Sequence, residues 1–213
     1  MTTAGRFITF EGSEGVGKST QIASVQRFIE SAGIPLVVTR EPGGTDLSEA
    51  VRGLLLDPDR EPMHEDTELL LMFAARAEHL RAKIEPALRA GQWVLCDRFT
   101  DATFAYQGGG RGISADRIET LEQWVHAATQ PDLTLLLDVP VEVGLARVRA
   151  RAPSDRFERE AEPFFERVRQ TYLARAHSLP NRFAIVDAQP AVDVVAARIE
   201  QVLVERFPEL NSQ

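Results

Sequence analysis

The chain has 213 residues and carries 24 Lys and Arg against 32 Asp and Glu, for a net charge of -8. That length allows one sizeable core, and the acidic balance argues against an extended nucleic-acid surface or an anionic membrane face, both of which need basic footprints. Its one cysteine, Cys96, cannot form an internal disulfide, and the longest apolar run, 69–75, is far too short to span a bilayer, so small molecules are the expected partners, with no nucleic acid and no membrane.

Taken in chain order, short apolar β-prone runs at 7–10, 35–39, 93–97, 133–138 and 183–186 are separated by helix-like stretches that include 20–29, 67–90, 116–128, 141–150 and 192–207. This alternation predicts an α/β fold with a parallel sheet of about five strands and helices on both faces. No Pro/Gly/Ser-rich linker divides it, so a single domain over 1–213 is expected. In such sheets ligands gather at the C-terminal ends of the strands. The polar residues there are Glu11, Arg40, Asp97-Arg98, Asp138 and Asp187.

Between the first strand and the first helix, Gly12-Ser13-Glu14-Gly15-Val16-Gly17-Lys18-Ser19, followed by Thr20, fits the G-x-x-x-x-G-K-[ST] phosphate-binding loop in its required strand–loop–helix context. The glycines turn backbone N–H groups toward phosphates, Lys18 brings a point charge to the β- and γ-phosphates, and the Ser19 hydroxyl is placed for Mg²⁺. A nucleoside triphosphate is therefore the expected ligand. The loop starts too early for a leader to be fitted and removed, and the expected location is the cytoplasm. No Asn-Lys-x-Asp or Asp-x-x-Gly segment is present, which argues against a guanine-nucleotide switch.

A second ligand is indicated by three features. At the end of the third strand Asp97 can hold Mg²⁺ or one of its waters while Arg98 grips a phosphate in two-pronged fashion, the alternative being a structural ion pair that caps the strand. On the 67–90 helix, Phe73 and Arg76 stand three residues apart on one face, an aromatic plate beside a fork of donors, although Phe73 alone also reads as a core residue. Arg147, Arg149, Arg151 and Arg156 crowd a segment, roughly 147–160, whose Arg-Ala-Pro-Ser-Asp-Arg-Phe-Glu reads as an irregular, flexible lid between two helices. Arg147 and Arg151 lie one turn apart if the helix continues, so a solvated basic face is the alternative for Arg147.

Phe10-Glu-Gly-Ser-Glu-Gly-Val-Gly-Lys-Ser-Thr, Thr39-Arg-Glu-Pro-Gly-Gly-Thr, Asp97-Arg-Phe and Ala105-Tyr-Gln-Gly-Gly together resemble the bacterial thymidylate kinase family over nearly the whole length. The resemblance implies a P-loop NTPase-type kinase that passes the γ-phosphoryl of ATP to dTMP in dTTP biosynthesis, with Mg²⁺ as cofactor and a homodimer as its assembly. It implies that Phe73 stacks on thymine, Arg76 donates to a thymine carbonyl, Pro42 walls the pocket and Arg98 clamps the acceptor phosphate. Arg40, at the end of the second strand, joins the same dTMP set. Thr103 and Gln107 match positions facing base and sugar, Tyr106 an aromatic that crowds a ribose 2′-hydroxyl, and Glu158 a position near the sugar. At Ala102 relatives often carry a small hydroxyl residue, so a hydrogen bond is missing there.

Some family members place an arginine after the loop acid; here Gly15 follows Glu14, which resembles the subtype whose lid supplies the arginines, with Arg149, Arg151 and Arg156 as the stronger candidates. Guanidinium groups brought by a closing lid would stabilise the spread charge of the transition state and exclude water. No strong general base is needed, so Glu14 is expected to organise Arg98, Mg²⁺ or the sugar hydroxyl. Adenine is expected over the backbone of 187–190. His64, His79, His126 and His177 lack metal-ligand spacing. The rival readings are a kinase for another nucleoside monophosphate and a nucleotide-binding regulator that has lost transfer.

Overall fold

β1 (Phe7–Glu11), β2 (Leu36–Arg40), β3 (Trp93–Asp97), β4 (Leu133–Asp138) and β5 (Phe183–Asp187) form one sheet in the order β2-β3-β1-β4-β5, with every pairing parallel. The computed structural model describes residues 5–59, 61, 63–150 and 156–211. β1 is central and wholly buried, which its uniformly apolar start requires of a strand covered on both faces.

Strand alternation sorts β1 between two cores. Ile8 and Phe10 pack with Val25 and Ile29 of α1 (Lys18–Ser31) and with Ile199 and Leu203 of the last long helix. Phe7 faces the opposite side, against Leu80, Ile84 and Phe99. Thr9, on that same side, spends its hydroxyl on Thr134 of β4 at 3.0 Å. Glu11 therefore points, buried, toward the second face.

The remaining helices are α2 (Asp46–Leu56), α3 (Glu65–His79), α4 (Glu85–Arg89), α5 (Thr100–Thr103), α6 (Ala115–His126), α7 (Val141–Arg149), α8 (Glu162–Ser178) and α9 (Val192–Arg206). α2 and α5 have no counterpart among the helices expected from the sequence, and α8 is the helix expected, without bounds, after the lid segment. α2 is capped by the Thr45 side chain, which accepts the Ser48 N–H, and carries Asp46 and Glu49 in its first turn where the helix dipole favours acids. The expected 67–90 helix is interrupted by a π-helical turn at Leu80–Ile84, after which Pro86, having no N–H to give, stands in the first turn of α4. A second π-helical segment, Phe104–Gly110, follows α5 and packs on α8 through Tyr106, Phe164 and Tyr172.

The chain leaves β1 between β3 and β4, so the loop after β1 opens at the point where the strand order reverses.

Candidate active site

The loop after β1 can fold only with glycine at its tight points. Gly12 has φ 136, and a Cβ there would lie 2.4 Å from the Leu137 carbonyl oxygen; at Gly15 (φ 72) it would lie 2.1 Å from the Gly144 oxygen of α7. α1 then starts at Lys18 with no side chain capping its free N–H groups, leaving them for an anion. Lys18 is buried beneath the loop, its Nζ donating to the carbonyls of Gly12 and Ser13 at 3.3 and 3.4 Å. Burial lowers its pKa and Arg98 adds to the effect, while Asp97, Glu14 and Glu11 act in the opposite sense. The Val16 side chain turns into the core. Gly15, Gly17, Lys18, Ser19 and Thr20 line a cleft of about 290 Å³.

Asp97 and Ser19 border the same cleft, and Asp97 Oδ1 is buried without a hydrogen-bond partner. An orphaned carboxylate oxygen and a hydroxyl in one cleft suit a hard, oxygen-seeking cation such as Mg²⁺, which takes few protein ligands and completes its shell with phosphates and water. No group of three or more His, Cys, Asp or Glu capable of caging a metal occurs among the described residues.

Arg98 holds a left-handed backbone, φ 67, that a non-glycine residue adopts only when its surroundings enforce it. Its Nη1 donates to Gly12 O at 2.7 Å and to the Tyr172 hydroxyl at 3.2 Å, and Nη2 donates to Glu14 Oε1 at 2.6 Å. Glu14 also accepts the Tyr106 hydroxyl at 2.9 Å, and the Tyr106 ring lies 4.9 Å beneath the guanidinium. The structure thus pairs Glu14 with Arg98, one of the roles open to it.

The far wall of the cleft is polar and pre-arranged. Arg76 donates from Nε to Glu41 Oε2 at 2.7 Å and from Nη2 to Thr103 Oγ1 at 3.0 Å, while its Nη1 is buried without a partner. Glu41 is anchored further by His79, which Thr39 contacts from behind at 2.7 Å. Burial pushes the Glu41 carboxyl up, but Arg76 and His79 outweigh it and hold it below the usual carboxylate range. Pro42, Thr103, Tyr106 and Gln107 line the cleft, and so does Arg52, which donates to the Pro42 carbonyl at 2.8 Å and which the sequence did not single out.

Two expected contacts are corrected. Phe73 is packed with Leu69, Phe104 and Ile118 and does not line the cleft; the apolar side chain of α3 that does is Met72, four residues before Arg76 and so on its face. Arg40, last residue of the edge strand β2, alternates outward to half-exposed positions and pairs with Glu49 at 3.0 Å, away from the cleft.

The lid arginines divide. Arg147 reaches back over the phosphate loop to the carbonyls of Gly15, Ala188 and Gln189 at 3.3 to 3.4 Å, which brings the end of α7 to the segment expected to hold adenine. Arg149 is exposed at the end of α7, and Arg151 lies outside the described residues. Arg156 does not line the cleft: its Nη2 donates to Glu68 Oε2 at 2.6 Å and its Nε to Leu55 O at 2.9 Å, because the buried Glu68 carboxylate gives it a stronger partner than solvent. Glu158 lines the cleft. Cys96 is buried, and burial pushes its thiol up, away from nucleophilic use.

Behind Arg98, Glu11 accepts the Phe99 N–H and the Tyr172 hydroxyl, each at 2.7 Å. Burial, then the neighbouring Asp101 charge, raise its pKa from 4.5 to about 8 against the pull of Arg98, Tyr172 and Phe99. Burial and Arg76 lower His126 from 6.5 to about 4. The two act oppositely on stability. The folded state binds the Glu11 proton more tightly than the unfolded chain, so stability falls with rising pH between 4.5 and 8; it holds the His126 proton less tightly, so stability rises between 4 and 6.5. Between these two groups the slopes offset across 4.5 to 6.5, and above 6.5 only Glu11 of the pair still titrates, with a limiting slope of about 1.4 kcal/mol per pH unit. Thermal melts of the wild type are expected to drop by several degrees toward pH 8, and Glu11→Gln should flatten that drop; parallel profiles for the two proteins would refute it.

Among protein families, the model described as Thymidylate kinase matches residues 10–199. The thymidylate kinase of Chromohalobacter salexigens is 60% identical over 207 residues, 96% of this chain and 98% of the relative. That of Pseudomonas putida is 56% identical over 200 residues, 94% and 95% of the two chains. Among solved structures, the thymidylate kinase of Ehrlichia chaffeensis matches with a TM-score of 0.77 at 33% identity, over 94% of this chain and 99% of that one.

Proposed function

The chain belongs to the thymidylate kinase family, and from that premise we infer that it transfers the γ-phosphoryl group of ATP to dTMP, giving ADP and dTDP. The observation that carries the reading to this chain's own residues is a single cleft whose one end is the phosphate loop, whose other end is the Arg76–Thr103–Gln107 wall, and whose middle holds Arg98.

In this reading the triphosphate lies on the free N–H groups at the start of α1, with Lys18 on its β- and γ-oxygens. dTMP lies opposite, its base against Met72 and Pro42, a carbonyl receiving the unpartnered Arg76 Nη1, and its phosphate gripped by Arg98. Tyr106, fixed by Glu14, crowds the sugar edge and disfavours a ribose hydroxyl. The acceptor is already an ionised phosphate, so positioning and charge neutralisation do the work and no base is needed. Ser19 and Asp97 would hold Mg²⁺, which when bound neutralises charge on the phosphate oxygens. Arg149, the last residue of α7, whose Arg147 reaches the phosphate loop, and Arg151, two residues later in the sequence, are the remaining donors assigned to the transferring group.

The whole chain is read as one catalytic domain working in the cytoplasm, where ATP and Mg²⁺ are supplied. No helix among the described residues is long and apolar enough to cross a membrane. A homodimer is proposed through α3 and the helices on either side of it, α2 and α6, which expose apolar side chains, Leu70 at 57% and Trp124 at 81% among them.

An ADP-release assay with Mg·ATP and dTMP, dUMP, dCMP or dGMP tests the function. dTMP is expected to give the highest kcat/KM, and dTDP must accumulate with ADP. ADP release that is indifferent to the acceptor would sink the assignment.

A further inference from the structure

Glu68 takes no part in lining the cleft, yet it stands on α3 one turn before Met72 and two before Arg76, and it is 1% exposed. A carboxylate there is costly unless paired. Three donors converge on it. Gln107 Nε2 donates to Oε1 at 2.8 Å, Arg111 Nε to Oε1 at 3.4 Å, and Arg156 Nη2 to Oε2 at 2.6 Å. Arg111 is fixed in turn by Glu160 at 2.6 Å.

A carboxylate held between two guanidinium groups has only acceptors to offer. Whichever end of the Gln107 amide faces it must therefore be the NH₂ end. The amide is planar, so its carbonyl oxygen takes the other direction, toward the cleft that Gln107 lines beside Arg76. The wall then presents one donor, Arg76 Nη1, and one acceptor, Gln107 Oε1. A pyrimidine with a ring N–H flanked by carbonyls answers both. Cytosine, with an unprotonated ring nitrogen at that edge, leaves the acceptor facing a lone pair. With the amide reversed the wall would become two donors, the pattern that cytosine's ring nitrogen and carbonyl prefer.

We propose that Glu68 is a positioning residue that fixes the polarity of the Gln107 amide and thereby selects thymine and uracil against cytosine. The proposal rests on the reading that Gln107 faces the base. A site built to pair a polar group rejects the mispaired analogue far more strongly than an apolar pocket can.

Glu68→Gln keeps the volume and can donate, so it frees the Gln107 amide to turn. The kcat/KM ratio of dTMP to dCMP is expected to fall tenfold or more, chiefly through the dTMP KM, with dUMP following dTMP. Equal loss on dTMP and dCMP would mark Glu68 as structural only and overturn the proposal. Gln107→Leu, measured alongside, separates the two readings. If it collapses the ratio while Glu68→Gln does not, Gln107 reads the base without Glu68; if it leaves the ratio unchanged, Gln107 does not face the base and both readings fail. Because Glu68→Gln strips Arg111 and Arg156 of their partner, its fold is checked by circular dichroism and melting. The unaltered enzyme gives a second measurement. The Gln107 side-chain amide signals in ¹H–¹⁵N NMR, assigned by their loss in Gln107→Leu, should keep their carboxylate-bonded shifts when dTMP is added. Large shifts of those protons on binding would show the nitrogen facing the base and overturn the assignment.

Discussion

Lys18→Ala is expected to lower turnover of dTMP by about two to three orders of magnitude, the loss that follows removal of one preorganised charge from a transition state. The ammonium is held ready by two weak contacts, 3.3 and 3.4 Å to loop carbonyls that phosphate oxygens can replace at little cost. Asp97, Glu14 and Glu11 favour its charged form against burial and Arg98. Without it, Asp97 and Glu14, which line the cleft, would face an incoming polyphosphate with one fewer cation between them. The α1 N–H groups remain, so ATP should still bind, more weakly. Coupled ADP release gives kcat, and calorimetry with dTMP alone should show an acceptor affinity changed by less than about threefold, since Lys18 acts on the donor phosphates. Turnover within a few-fold of wild type would refute the phosphate-loop assignment.

The parts of this architecture governed by local pattern were legible in the sequence. Each of the five strands falls within one or two residues of its apolar run, which also places Asp97-Arg98 at the end of β3, and the phosphate loop and the α1 start lie where the glycine spacing put them. What depended on pairing across the chain was not legible. Glu41 meets Arg76 from 35 residues away and Glu68 meets Gln107 from 39, and nothing in either local segment announces it. The same holds for Arg156, whose basic neighbours suggested a catalytic arginine but whose partner is a carboxylate 88 residues earlier. Met72 was within reach, since its four-residue spacing from Arg76 places it on the cleft face; the aromatic character of Phe73 drew the inference one residue too far around the helix. The π-helical turn over 104–110 was hidden because Gly108, Gly109 and Gly110 carry the signature of a loop, while the packing that winds them comes from α8.

Arg98→Ala is expected to cut kcat/KM for dTMP by about 10³-fold while the affinity for ATP changes only a few-fold, as when a guanidinium clamp is lost from the acceptor side of a phosphoryl transfer. The guanidinium spends both Nη1 hydrogens and one on Nη2 on Gly12, Tyr172 and Glu14, which leaves Nε–H and the second Nη2–H as the forked pair that fits a phosphate. Lysine at this position keeps the charge but not the fork, so Arg98→Lys should recover little. The positive φ adds a control: the alanine variant keeps the strain that Arg98 bears, whereas Arg98→Gly relieves it. If backbone strain were the source of activity, the two variants would differ; if the fork is, both should lose dTMP use alike. Steady-state kinetics over both substrates with the three variants decides it. A defect confined to ATP would take Arg98 off the acceptor and leave it as a brace for the phosphate loop, a role that its 2.7 Å bond to the Gly12 carbonyl would then explain by itself.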